Sequence, residues 1–144
     1  MAARQDSTAT SVRGSWAASL NAAAQRRPVV FHRGEQDFAL LPASLLRDVL
    51  TRAVPAPEVI AEDDGWTVLL PGHPVAADGV TLDDALRDFV DALRDYADAW
   101  NDRLHQAPNH QDAAALVQHV SVSDDEQLLA WVRGPHDESA PQQP

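Results

Sequence analysis

The sequence predicts an α+β chain: a small helix–hairpin–helix domain at the N-terminus, then a ββ(β)α unit and further C-terminal helices. Three observations carry this reading. Short β-branched or aromatic runs come in pairs around turn residues, as in PVVFHR-GEQD-FALL (28–41) and EVIAE-DDG-WTVLL (58–70). Apolar residues recur at steps of three and four from Leu82 to Leu104. Between the two patterns stands Pro55-Ala56-Pro57, a short stiff link.

The first domain spans residues 1–54. SVRGSWAASLNAAAQ (11–25) places Val12, Trp16, Leu20 and Ala23 or Ala24 on one helical face. Gly14 weakens that helix, and Arg26-Arg27-Pro28 ends it, because the residue before a proline avoids helical angles. PVVFHR (28–33) is a strand, GEQD (34–37) turns the chain, and FALL (38–41) is the returning strand. Pro42 suits the first turn of a helix, ASLLRDVLTRA, with Leu45, Leu46, Val49 and Leu50 facing inward.

The second unit spans 58–107. It has strands at 58–62 and 66–70 around Asp63-Asp64-Gly65, with a short third strand near 74–77. Thr81 caps the long helix, and Asp83 and Asp84 lie in its first turn, where the helix dipole favours anions. Leu82, Ala85, Leu86, Phe89, Val90, Leu93, Tyr96, Ala97, Trp100 and Leu104 form its apolar stripe. Helices at 110–120 and 124–133 make up a C-terminal region, 108–133. Residues 1–10 are expected to fray and 134–144 to be a disordered tail.

Composition narrows the function. There are no cysteines, which excludes disulfides and thiolate metal sites and fits a reducing cytoplasm. No apolar run is long enough to span a bilayer, and the N-terminal residues hold no export signal. Every basic residue is arginine, which suits a GC-rich genome and also grips phosphate and carboxylate with a planar fork.

The charge is divided unevenly. Residues 1–54 hold seven arginines against four acids, net +3; residues 55–144 hold four against eighteen, net −14; the sum is the chain's −11. A basic front attracts nucleic acid, and an acidic back suits a basic protein partner.

Catalytic patterns are absent. The aspartates of the long helix alternate with Arg87, Arg94 and Arg103 at spacings such as Asp83–Arg87 and Arg94–Asp98, which makes a solvated, ion-paired face. His105, His110 and His119 do not share a helical face, so no metal is expected. There is no glycine-rich phosphate loop and no GxSxG elbow, and no cofactor is expected. Binding is the better reading. Arg13, Arg26, Arg27 and Arg33 cluster around the hairpin, spaced to touch phosphates or base edges; four unrelated surface arginines are the alternative.

Residues 12–50 resemble the prevent-host-death (Phd/YefM) antitoxin family. The shared features are an arginine opening a helix with apolar residues four apart (Arg13, Trp16, Leu20), a helix end before "PVV", a strand ending His32-Arg33-Gly34, and a second apolar strand leading into a Leu-rich helix. Two features depart from that pattern: RQDSTAT lacks the apolar residues of the usual first strand, and Arg26-Arg27 replaces the usual glycine. Residues 58–96 look like the ββ(β)α unit of HicB-type antitoxins, in the order strand–DDG–strand–P–loop–DG–TLDDAL.

The resemblance implies a cytoplasmic, non-enzymatic antitoxin of a type II toxin–antitoxin system. It would dimerise through its first domain, with Trp16 and Leu20 in the dimer core, and bind operator DNA through Arg13 and Arg33, with Arg26 and Arg27 beside them. It would neutralise a basic protein toxin with residues beyond Pro57, either the long helix's aspartate face or Leu128, Leu129, Trp131 and Val132. A non-DNA-binding acidic adaptor or structural module is the alternative.

Overall fold

The computed structural model describes residues 7–134, so residues 1–6 of the expected fraying segment and 135–144 of the expected tail lie outside the described residues. The chain is α+β and forms two compact units that part between Leu46 and Arg47.

In the first unit, Thr8 caps helix α1 (Ala9–Gly14) through a capping box with Ser11. Helix α2 (Trp16–Ala24) follows. The single helix expected over 11–25 is broken at Ser15, whose backbone is non-helical (φ −121°, ψ 37°) and which serves both as end of α1 and start of α2. The break re-aims the second half. Val12, Ser19 and Ala23 are buried, while Trp16 and Leu20 are 52% and 43% exposed.

Strand β1 (Val29–Arg33) pairs antiparallel with β2 (Gln36–Leu40), and Phe31 stacks on Phe38 across the pair at 5.7 Å. The turn is tighter than expected. Gly34, at φ +60°, lets two residues close the hairpin, so β2 begins at Gln36 and not at Phe38. Thr8 makes a single parallel bridge to His32, and the His32 N–H donates to the Ser7 carbonyl.

Helix α3 (Ala43–Ala53) crosses the division between the units. Of its four expected inward residues only Leu50 is buried; Leu45 and Val49 are exposed. Val54, just after the helix, joins the core of the second unit, which is why the division falls earlier than the Pro55–Pro57 link.

The second unit holds a three-stranded antiparallel sheet in the order β3 (Glu58–Glu62), β4 (Gly65–Leu69), β5 (Ala76–Gly79). Helix α4 (Leu82–Asp102) lies on it, capped by Thr81 as expected. Ala85, Leu86, Phe89, Val90, Leu93 and Ala97 of the predicted stripe are buried. Two glycines permit close backbone approaches. A Cβ on Gly65 would meet the Gly79 carbonyl oxygen at 2.4 Å, and one on Gly79 would meet the Ala85 nitrogen at 2.4 Å. Sheet strand and helix start are thus in backbone contact, which only glycine at 79 allows.

Beyond α4, two 3-10 turns (Leu104–Gln106 and Pro108–Ala113) lead to α5 (Ala114–Ser121) and α6 (Asp125–Arg133). The expected helix over 110–120 is therefore 3-10 in its first part. Leu116, Val117, Val120, Leu128 and Val132 pack into the same core as Phe89 and Leu93, so 58–107 and 108–133 share one core.

Candidate nucleic-acid and partner interfaces

Arg13, Arg26, Arg27 and Arg33 are all exposed. Arg33 closes β1 at the turn end. Because Ser7 and Thr8 run beside His32, α1 begins next to that same end, and Arg13 lies in its last turn. Arg26 and Arg27 sit at the opposite end, before Val29 opens β1. At about 3.3 Å per residue, the five-residue strand puts roughly 13–17 Å between Arg33 and the end where Arg26 and Arg27 lie.

Arg26 has φ +60° and is the one described non-glycine residue with positive φ. Its N–H donates to the Ala23 carbonyl, and the Arg27 N–H to the Ala22 carbonyl. This is a Schellman ending, and the αL residue within it is normally glycine. The position where Arg26 departs from the family pattern is thus a true left-handed position, held by an arginine at a conformational cost. Arg26 and Arg27 rim a groove of about 210 Å³ lined by Ala23, Pro28, Leu40, Leu41 and Leu45. Together with Trp16 and Leu20 it leaves the first unit with much apolar surface outside its small core.

The expected toxin anchor is altered by packing. Leu128 and Val132 are core residues of the second unit and present no surface; one face of α6 is spent on closing the chain's own core. Leu129 and Trp131 are half-buried against that core. Trp131 meets the His119 ring edge-on, with centroids 4.6 Å apart.

The ion pairs also differ from expectation. Arg94 reaches across to the α5–α6 turn in place of Asp98. It donates to the Val120 and Ser123 carbonyls, both at 2.8 Å, and pairs with Asp125 at 2.8 Å. Asp83 meets Arg133 at 3.6 Å, not Arg87. Arg47 donates to the Val122 carbonyl. Two guanidiniums therefore bond the carbonyls of Val120, Val122 and Ser123 at and just past the end of α5, a role that helical spacing along α4 alone does not reveal.

The histidines serve packing. His105 Nδ1 bonds to the Trp100 carbonyl and His110 Nδ1 to the Tyr96 hydroxyl. Burial raises the Tyr96 pKa. His119 is 1% exposed, and neither ring nitrogen has a hydrogen-bond partner among the described residues. Burial, reinforced by the Arg47 charge, lowers its pKa below the ordinary 6.5. Among the described residues no group of three His, Asp or Glu side chains is arranged to hold a metal, and no helix is long and apolar enough to cross a membrane.

The family profile PHD_like, described as an antitoxin of toxin–antitoxin, RelE/RelB, TA system, matches residues 1–127. The chain belongs to this antitoxin family. Its backbone is also similar to a crystal structure from Syntrophomonas wolfei subsp. wolfei, described as an antitoxin part of a candidate toxin/antitoxin system. The TM-score is 0.72 at 16% identity, over 89% of this chain and 96% of that one. That likeness establishes a shared fold. No curated protein matches the chain. The antitoxin expectation is thus met at the level of the family, and the α+β class at the level of the fold.

Proposed function

We propose that this antitoxin-family chain has two jobs, one for each unit. The first unit, of Phd/YefM type, forms a homodimer on operator DNA and represses its own operon. The second, with the HicB-like sheet and helix, neutralises a basic protein toxin by direct binding in the cytoplasm. The observation that carries this reading is the division of charge. Residues 1–54 have a net charge of +3 and residues 55–144 of −14, and the chain parts into two compact units near the same place. A basic surface gains from releasing the counterions of DNA, while an acidic one is repelled by phosphate and attracted to a cationic protein.

Arg13 and Arg33 are the leading DNA contacts; Arg26 and Arg27 are a second pair. The exposed Trp16 and Leu20 support self-association, because the first unit buries little apolar surface of its own. The acidic outer surface of the second unit, with Leu129 and Trp131 at its margin, supports toxin binding.

The test is titration of the full chain against the DNA upstream of its own reading frame at several salt concentrations. Affinity should fall steeply with salt. Arg13→Ala and Arg33→Ala should each flatten the slope by about one unit if they touch phosphate, or cost about 1–3 kcal/mol with relaxed sequence preference if they touch a base. Affinity that ignores salt, or none at all, favours the second reading, an acidic adaptor without DNA binding. One observation speaks for that reading: the N-terminal segment contributes a single bridge, Thr8 to His32, to the hairpin's edge among the described residues.

A further inference from the structure

We propose that the free edge of β3 is the toxin-docking strand, and that it takes an extended basic segment of the pattern basic–x–apolar–x–basic by strand addition. This rests on the reading of the acidic half as toxin-binding and assigns that role to one element. β3 is one of the two outer strands of its sheet, and all five residues from Glu58 to Glu62 are exposed. Among the described residues, nothing makes a backbone hydrogen bond to its outer side.

An open edge normally carries devices that limit pairing with other chains, such as charged side chains, an internal proline or a bulge. β3 has neither proline nor bulge; its one device is the charge of Glu58 and Glu62. Its register with β4 runs unbroken from Glu58–Leu69 to Glu62–Gly65. It also offers apolar side chains on both faces, since the neighbours Val59 and Ile60 point opposite ways and are 38% and 40% exposed.

Charge selects the occupant. Glu58, Ile60 and Glu62 share one face of the strand. A second copy pairing antiparallel about Ile60 would set each Glu58 against the other copy's Glu62, and parallel pairing in register would set each glutamate beside its own copy. Like charges opposite one another are destabilising, so the strand rejects itself. A cationic segment meets the reverse: its apolar centre lies against Ile60, and its two basic residues lie against Glu58 and Glu62. The carboxylates continue past the turn. Glu62, Asp64 and Asp78 surround an open pocket of about 290 Å³ beside Trp66 and the outward-facing Val80. A long cationic side chain leaving the edge strand would reach an indole and carboxylates there.

The experiment uses the full chain and the protein encoded by the adjoining reading frame. Affinity is measured for wild type, for the double variant Glu58→Arg/Glu62→Arg, and for the control Glu35→Arg/Asp48→Arg, which makes the same charge change on exposed positions outside the acidic half. Hydrogen exchange of amides 58–62 is followed with and without the partner. The edge variant should lose about tenfold or more in affinity while the control loses much less. The outward-facing amides of β3 should become protected in the wild-type complex. Equal losses in the two double variants would mean bulk attraction only, and no added protection at 58–62 would mean no strand addition; either overturns the docking strand while leaving toxin binding intact. A wild-type chain that fails to bind the adjoining protein overturns the toxin reading and this inference with it.

Discussion

Arg26 occupies a backbone position that its own side chain disfavours. At φ +60° a residue with a Cβ costs about 1–2 kcal/mol relative to a right-handed one, and glycine avoids this. Part of the gain from glycine is lost to its freer unfolded state. Arg26→Gly is therefore expected to raise stability by up to about 1 kcal/mol, seen as a later denaturant midpoint. If the guanidinium is kept there for DNA, the same variant binds the upstream DNA more weakly. A gain in stability with DNA affinity unchanged would remove Arg26 from the DNA contacts.

His119 gives a pH dependence of definite sign. Its folded pKa lies below 6.5, so between that folded value and 6.5 the unfolded chain binds more protons than the native one. Stability is unaffected above this window, falls as pH drops through about 6.5, and levels off below the folded pKa. Arg47, a cation anchored on the adjacent α5–α6 turn, reinforces the penalty, and Trp131 offers only its ring. His119→Leu should flatten the fall in thermal stability below pH 6.5, leaving the carboxylates to titrate lower. An unchanged slope would place the acid sensitivity elsewhere.

Among the elements, α4 is the most legible from sequence. Its cap, acidic first turn and core stripe follow from periodicity, because a long helix on a core repeats its signal over many turns. Short helices do not. The break at Ser15 separates two helices of six and nine residues; Val12 and Ala23 of the predicted face are buried, but Ser19 is buried with them while Trp16 and Leu20 are exposed. The contact of β5 with α4 is invisible to propensity, yet it constrains Gly79 strictly. Gly79→Ala should cost about 1–3 kcal/mol by driving a Cβ into the Ala85 backbone, measurable as a lowered melting temperature. Wild-type stability in that variant would mean that the helix start moves freely off the strand.

For the molecule as a whole, the two units differ in how much they bury. The apolar side chains buried before Arg47 are Val12 and Ala23, among the described residues, whereas the second unit has a core of fifteen buried residues. A unit with so little buried apolar surface cannot offset the entropy of ordering its chain. Fragment 47–134 should melt cooperatively as a monomer. Fragment 1–46 at micromolar concentration should be unfolded or self-associated, as read by circular dichroism and sedimentation. A folded monomeric 1–46 would remove the need for a dimer.

The sequence by itself determined the α+β class, both hairpins, α4 with its cap, and the division of charge, since each is written in local periodicity, turn chemistry or a simple sum. Tertiary structure alone decided which apolar residues are spent inside. Leu128 and Val132 look like a binding anchor in a short amphipathic run, but they lie in the core, because α6 has to close the face that α4 and α5 leave open. It likewise decided that Arg94 serves the α5–α6 turn and that β3 stands at the sheet's outer edge. A strand's place in a sheet, and a long side chain's choice among partners, depend on residues far away in the chain, which no local pattern encodes.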